Sequence, residues 1–133
     1  ALNIIKDNFI FGIGPKMFRE TCNDEKYFVV DGCSTHPHNT YIQLLSETGV
    51  IGFSFVFTFF LFCSFIIIRQ IYSKFIFRKS FKPDYYMCFI IAIFINLWPL
   101  MPTGNFFNNW ISIIYYIPVG FILYFHYDYK QEI

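Results

Sequence analysis

Polar and apolar positions change character once along the chain, near residue 48. Residues 1–48 mix charged, polar and apolar side chains, whereas residues 50–68 carry no charge, and two further apolar stretches cover residues 85–101 and 110–125. At about 1.5 Å per residue, a helix over 50–68 reaches about 28 Å, enough for a hydrocarbon core of about 30 Å. The pattern predicts a loop segment, 1–48, followed by a transmembrane region, 49–133, with three spanning helices.

The strongest helical pattern inside the loop segment follows the His-Pro-His-Asn run at 36–39. Asn39 or Thr40 can cap a helix there, since either side chain can accept hydrogen bonds from the first helical N–H groups. Apolar positions then recur at i, i+3, i+4 and i+7: Tyr41, Leu44, Leu45 and Thr48. Upstream, residues 12–15 predict a tight turn and residues 27–30 a short strand.

Composition favours an integral membrane protein. Of the 133 residues, 56% are apolar, 24% aromatic and only 14% charged, against about 25% charged in ordinary soluble domains. The fold class predicted is therefore an all-α integral membrane protein, with short helices in the loop segment. The chain starts at Ala1 and opens on no signal-peptide pattern, so we expect the C-terminal part of a longer polytopic protein. A net charge of +1 without a basic stripe gives no reason to expect a nucleic-acid partner.

Basic residues predict the orientation. Residues 69–84 hold five Lys or Arg and one acid, whereas 1–48 hold four Lys or Arg and six acids. Because loops rich in Lys and Arg stay in the cytoplasm, we expect 69–84 inside and both 1–48 and 102–109 outside. In a bacterial inner membrane, outside means the periplasm.

Two of the four cysteines lie in the predicted outer segment. Cys22 and Cys33 can form a disulfide that stabilises the fold by about 3 kcal/mol in the chain-entropy model. Two free thiols, or two metal ligands together with His36 and His38, are the alternatives. The cysteines form no CxxC pair, so zinc is the weaker interpretation, and no metal site is predicted.

His38 is the candidate for chemistry. An imidazole accepts a proton near neutral pH, and the positive end of a helix dipole favours its neutral form. The same helix start offers N–H groups to an anion, and Arg19 can add a bidentate phosphate contact. These features suit transfer from a lipid-linked phosphate donor to a hydroxyl group. The alternative is a polar loop whose histidines only form hydrogen bonds.

The sequence resembles the bacterial O-antigen ligase family at two motifs. His38-Asn39, nine residues and then Gly49-Val50-Ile51-Gly52 is similar to the family's H-N-x9-G-x-x-G signature, and residues 11–18, FGIGPKMF, resemble its entry into the periplasmic loop. The resemblance implies a multi-pass inner-membrane glycosyltransferase that needs no metal or other cofactor. It implies a donor glycan on undecaprenyl pyrophosphate and a sugar hydroxyl of lipid A–core as acceptor.

The resemblance also implies roles for individual residues. His38 would be the general base and Arg19 a pyrophosphate ligand, with Asn39 and His36 beside the substrate. The motif glycines are Gly12, Gly14, Gly49 and Gly52, of which the last two would let the helix entering the membrane pack closely. Without the preceding helices and their arginines, the fragment alone is expected to be inactive.

Other functions stay open. O-antigen polymerases and protein O-oligosaccharyltransferases share the fold, and a non-catalytic membrane scaffold or transporter piece is an alternative of a different class. The spans contain no ionisable side chain other than Tyr and Cys, which disfavours ion-coupled transport. The three asparagines of the 102–109 turn, Asn105, Asn108 and Asn109, could touch sugar hydroxyls, although a solvated turn is the favoured interpretation.

Overall fold

Helices are the only regular secondary structure in the described part of the chain. The computed structural model describes residues 1–30 and 32–131, and the last two residues of the predicted region 49–133 lie outside that part. It contains five helices, named here in chain order: α1 Leu2–Asp7, α2 Phe18–Cys22, α3 Thr40–Phe77, α4 Asp84–Asn96 and α5 Asn109–Gln131. The all-helical prediction is therefore confirmed for the described residues.

The short strand predicted at 27–30 is wrong. Residues 27–30 form turn and coil, and the backbone N–H groups of Tyr27 and Phe28 both donate to Asp24 O, at 2.9 Å each. A strand needs a neighbouring strand for its backbone hydrogen bonds, and no strand is present among the described residues. The aromatic and β-branched residues of this run lie instead in a turn whose backbone N–H groups bond to Asp24.

Helix α3 is long and apolar enough to cross a membrane. Only 17% of its most apolar stretch is buried, which is unlike a core helix of a soluble protein. Its helical hydrogen bonding continues beyond the predicted end at 68 to Phe77, so residues 69–77 are helix rather than loop. Charged side chains such as Lys and Arg are good helix formers and do not by themselves end a helix.

Helix α3 bends at Gly49. Gly49 has φ 65° and ψ −169°, a combination that is essentially restricted to glycine. The bend separates a first segment, residues 40–48, from the long apolar segment that follows. Helices α4 and α5 cover the other two predicted spans with different bounds; α4 and the apolar part of α5 are shorter than a usual spanning helix.

The chain divides into two compact units, each described here by itself. The first consists of Ala1–Thr58 and Pro99–Ser112, and the second of Phe59–Trp98 and Ile113–Ile133. In the second unit, contacts between aromatic rings join the helices: Phe60 with Phe94 and Trp98, Phe89 with Phe121, and Tyr85 with Phe125. The first unit holds every residue singled out by the sequence as a candidate for the site.

A buried glutamine closes the turn between α3 and α4 in the second unit. Gln70 is 5% exposed; its Nε2 donates to Lys82 O at 3.1 Å, and its Oε1 accepts from Lys82 N at 2.8 Å. Lys74 and Asp84 form an exposed ion pair at 2.9 Å across the same turn. The predicted cytoplasmic loop is therefore short and held by specific hydrogen bonds.

Candidate functional site

Helix α3 begins at the sequence-predicted cap. Asn39 Oδ1 accepts hydrogen bonds from the N–H groups of Tyr41 (3.0 Å) and Ile42 (3.1 Å), and Asn39 Nδ2 donates to Pro99 O at 2.6 Å. Asn39, and not Thr40, is therefore the capping side chain. The expected anion site at this helix start is already filled, because the Asn39 carboxamide takes the N–H groups that a phosphate would need.

The two histidines lie immediately before this cap. Their ring centroids are 4.7 Å apart in an edge-to-face arrangement, and His38 O accepts from Thr103 N at 3.1 Å. The His38 side chain is exposed and accessible to a substrate. His36 is partly enclosed: its Nδ1 is 3.0 Å from Thr35 Oγ1, while its Nε2 is buried without a hydrogen-bond partner among the described residues.

The two glycine motifs contact each other. An added Cβ at Gly12 would overlap the backbone of Glu47 and Thr48, and one at Gly49 would overlap the backbone of Ile10 and Phe11. Gly12 and Gly14 have φ of 68° and 104°, so the predicted tight turn has a backbone that favours glycine. The close approach at Gly49 is thus between the bend of α3 and the loop before α2.

Backbone hydrogen bonds hold this contact together. Ile13 N donates to Ser46 O at 3.0 Å, Gly14 N to Glu47 O at 2.8 Å, and Val50 N to Phe9 O at 2.8 Å. The bend at Gly49 exposes these groups to the loop, because residues at a helix break lose their intrahelical partners. The Cβ position of Gly52, by contrast, is closest to the Thr48 side chain of the same helix.

A buried polar network joins three segments of the first unit. Glu47 and Gln43 are both 0% exposed. Glu47 Oε1 accepts from Phe18 N at 3.2 Å, and Glu47 Oε2 accepts from Gln43 Nε2 at 2.9 Å. Gln43 Nε2 also lies 2.9 Å from Asn105 Oδ1, and Gln43 Oε1 accepts from Phe106 N at 2.9 Å.

This network positions the loops around the histidines. Buried polar groups are costly unless they are hydrogen-bonded, so each bond penalises displacement of the segment that makes it. Residues 12–18 are held through Glu47 and the turn at 103–106 through Gln43. Thr40 Oγ1 adds a contact of 2.9 Å to Thr103 Oγ1 on the same turn.

Gln43 and Glu47 were not identified as positioning residues from the sequence. Their signal is a second helical face that carries polar groups at i, i+3 and i+7: Thr40, Gln43 and Glu47. All three are buried, as is Ser46, although the predicted core was the apolar face. Tyr41 does belong to that apolar face: its ring packs edge-to-face against Phe53 and Phe57.

A disulfide closes the loop that carries α2. Cys22 and Cys33 are bonded, with their Cα atoms 5.7 Å apart, so the predicted pairing is present and both sulfurs are unavailable as thiolate ligands for zinc. Cys22 packs in a small core with Ile4 and Phe18. No cluster of three or more metal-ligating side chains occurs within the described ranges, 1–30 and 32–131.

Exposed polar contacts attach α1 to the same loop. Lys26 Nζ lies 2.7 Å from Asp7 Oδ2, and the Tyr27 hydroxyl donates to the same oxygen at 2.8 Å. The hydrogen bonds from Lys26 and Tyr27, together with the positive charge of Lys26, lower the pKa of Asp7. The hydrogen bonds with Asp7 and Tyr27, together with the negative charge of Asp7, raise the pKa of Lys26.

Arg19 is on the exposed surface of α2. Its backbone carbonyl accepts from Asn23 Nδ2 at 2.9 Å, and its guanidinium forms no hydrogen bond or ion pair with the described residues. The structure thus brings His36, His38 and Asn39 together with the 103–106 turn, whereas Arg19 stands on a separate helix. Its role as an anion ligand stays a prediction.

Comparison with known proteins supports the interpretation of the first unit. Residues 1–57 match the O-Antigen ligase family. The match includes both glycine motifs, the disulfide, both histidines and the bend at Gly49, and it confirms the resemblance found in the sequence. No curated protein and no solved structure matches the chain.

The O-antigen ligase match bears on the class of the protein. It points to a glycosyltransferase-like membrane enzyme whose substrates are glycans or lipid-linked glycans. Helix α3, which starts inside the matched segment, is long and apolar enough to cross a membrane, and it is the one such helix among the described residues. The matched residues end at 57, so the turn at 103–106 that Gln43 holds lies outside the match.

Proposed function

We propose that this chain is part of an O-antigen ligase-type glycosyltransferase, in which His38 is the general base. The enzyme transfers glycan from undecaprenyl pyrophosphate to a sugar hydroxyl of lipid A–core in the periplasm, without a metal. The observation that carries the proposal is an exposed imidazole beside the α3 cap, inside the segment that matches the O-antigen ligase family.

In the proposed step, the His38 imidazole removes the proton from the acceptor hydroxyl. The hydroxyl oxygen then attacks the anomeric carbon of the donor sugar, and the bond from that carbon to the pyrophosphate oxygen breaks. Arg19 binds the pyrophosphate and stabilises the charge on the leaving group. Because the oxygen and the nitrogen of the Asn39 carboxamide both bond to backbone groups, Asn39 holds His38 at the helix start, and His36 packs against the base.

The proposal is tested by His38→Ala in the protein expressed from its complete reading frame. Loss of a general base lowers the rate by about 10²–10⁴-fold, measured as glycan joined to lipid A–core in a deletion strain and with purified protein. The His38 side chain is exposed, so the variant should unfold at the wild-type temperature. His126→Ala is the matched control, because a third span over 110–125 after the outer turn 102–109 would place residue 126 on the cytoplasmic side, opposite His38.

Transfer by His38→Ala at more than about a tenth of the wild-type rate would refute the role of His38 as base. The acceptor is identified by what the deletion strain lacks. Loss of glycan from lipopolysaccharide supports the ligase, loss of chain length supports a polymerase, and loss from a pilin-like protein supports protein O-glycosylation.

A further inference from the structure

A polar cavity lies on the first unit beside the buried network. Its volume is about 360 Å³, and it is lined by Lys16, Asn105, Asn108, Asn109 and Trp110. Lys16 comes from the loop before α2, and the other four come from the turn before α5 and the start of that helix. The cavity therefore forms where Gln43 and Glu47 bring the two loops together.

The asparagines present hydrogen-bond donors to the cavity. Asn105 Oδ1 accepts from Gln43 Nε2 and from Phe107 N, both at 2.9 Å, and Asn108 Oδ1 accepts from Trp110 N at 3.1 Å. With their oxygens tied to the protein, the NH₂ groups of both side chains have no partner within the described residues. Such a lining suits a ligand rich in acceptor oxygens.

Lys16 adds a positive charge without a counter-ion. It forms no ion pair with the described residues, and no carboxylate lines the cavity. Its backbone is in the left-handed region, φ 66°, which is uncommon for a residue other than glycine. The hydrogen bonds of Gly14 N and Phe18 N to Glu47 hold the chain on both sides of it.

Trp110 supplies a flat apolar face at the same place. Its side chain is 80% exposed, although it lies among four polar side chains. An indole face binds apolar C–H groups, while its polar neighbours bind oxygens. A sugar ring offers both kinds of group, and a lysine adds preference for an acidic one.

We propose that this cavity binds an acidic sugar residue of the transferred glycan, carrying either a carboxylate or a phosphate. The inference rests on the proposed function for the presence of a glycan, but its residues do not include His38. Lys16 binds the acidic group, the NH₂ groups of Asn105 and Asn108 bind hydroxyl oxygens, and Trp110 packs against the ring.

The test uses the complete protein in nanodiscs and three labelled trisaccharides of the same length. One contains glucuronic acid, the second carries a sugar phosphate, and the third is the first with its carboxylate reduced to an alcohol. Fluorescence anisotropy should show that at least one acidic probe binds about tenfold more tightly than the neutral probe, the effect of one charge-assisted hydrogen bond. Which acidic probe it is decides between carboxylate and phosphate.

Matched variants locate the binding. Lys16→Met should remove the preference for the acidic probe, whereas Lys6→Met, a change at another exposed lysine of the same unit, should leave it intact. Asn108→Ala and Trp110→Ala should weaken all probes. Equal binding of acidic and neutral probes, no binding at millimolar concentration, or wild-type binding by Lys16→Met would overturn the proposal. If Trp110→Ala binds the probes as the wild-type protein does but inserts less well into nanodiscs, Trp110 is a membrane anchor. That result would also overturn the proposed sugar site.

The two proposals fail in different ways. His38→Ala should lose transfer and keep the binding of the acidic probe. If His38→Ala transfers normally while Lys16→Met loses the preference, only the assignment of the base is wrong. If His38→Ala loses transfer while Lys16→Met binds as wild type does, only the sugar site is wrong.

Discussion

Replacing Gln43 by Leu is expected to weaken the attachment of the 103–106 turn to α3, although the contacts of Thr103 with His38 and Thr40 remain. Leu has a similar size but none of the three hydrogen bonds that Gln43 makes to Glu47, Asn105 and Phe106. Asn105 Oδ1 keeps the N–H of Phe107 as a donor. Glu47 Oε2 and the Phe106 N–H each lose the Gln43 hydrogen bond.

The magnitude follows from the burial of those two groups. An unsatisfied buried polar group costs about 1–3 kcal/mol. Glu47 is fully buried, whereas the Phe106 N–H is only partly buried. The expected loss in the free energy of unfolding is therefore about 2–4 kcal/mol for the two groups together. That is a large share of the roughly 5–15 kcal/mol by which domains are usually stable.

Hydrogen exchange followed by mass spectrometry measures this effect locally. A loss of about 2 kcal/mol corresponds to about 30-fold faster exchange for the peptide that contains Phe106. Ser54→Ala is the control, because the exposed Ser54 hydroxyl bonds only to Ile51 O in its own helix. Exchange in the Gln43→Leu protein within about threefold of wild type would refute the positioning role of this network.

Two further predictions concern the bend and the disulfide. Gly49→Ala should destabilise the protein by about 1–3 kcal/mol or more, since alanine would be strained there and its Cβ would overlap neighbouring backbone. Gly120 lies in a helix with open space around it. Gly120→Ala should therefore be neutral or stabilise the protein by about 0.5–1 kcal/mol. Thermal unfolding of the two variants compares them directly, and an equal effect of both changes would contradict the assignment of the bend. Replacing Cys22 and Cys33 by Ser should lower the free energy of unfolding by about 3 kcal/mol. Reductant should lower the unfolding temperature of the wild-type protein but not that of the double variant. An unfolding temperature of the wild-type protein that reductant leaves unchanged would show that the disulfide contributes nothing to stability.

Local features of the site could be predicted from the sequence because they depend on neighbouring residues. Asn39 caps α3 through bonds to residues two and three positions on, which is a property of the side chain and its immediate backbone. The apolar run after residue 49 likewise predicts a long helix, because the signal lies in consecutive residues. The motif around His38 was recognisable from its spacing, and the pairing of Cys22 with Cys33 was favoured by their location in the predicted outer segment.

The tertiary structure decided which segments meet. Hydrogen bonds from Phe18 to Glu47 and from Phe106 to Gln43 join residues 29 and 63 positions apart, and no periodicity in the sequence specifies such pairs. Gly49 is glycine because an added Cβ would overlap the backbone of Ile10 and Phe11 in the loop before α2, whereas the family resemblance had implied close packing of the helix that enters the membrane. The end of α3 was predicted at residue 68 because the uncharged run ends there. The helix continues to Phe77 because helical hydrogen bonding does not require apolar side chains. The sequence by itself determined the apolar helices after residue 49 and the candidate base, whereas burial of polar groups between distant segments determined the surroundings of that base.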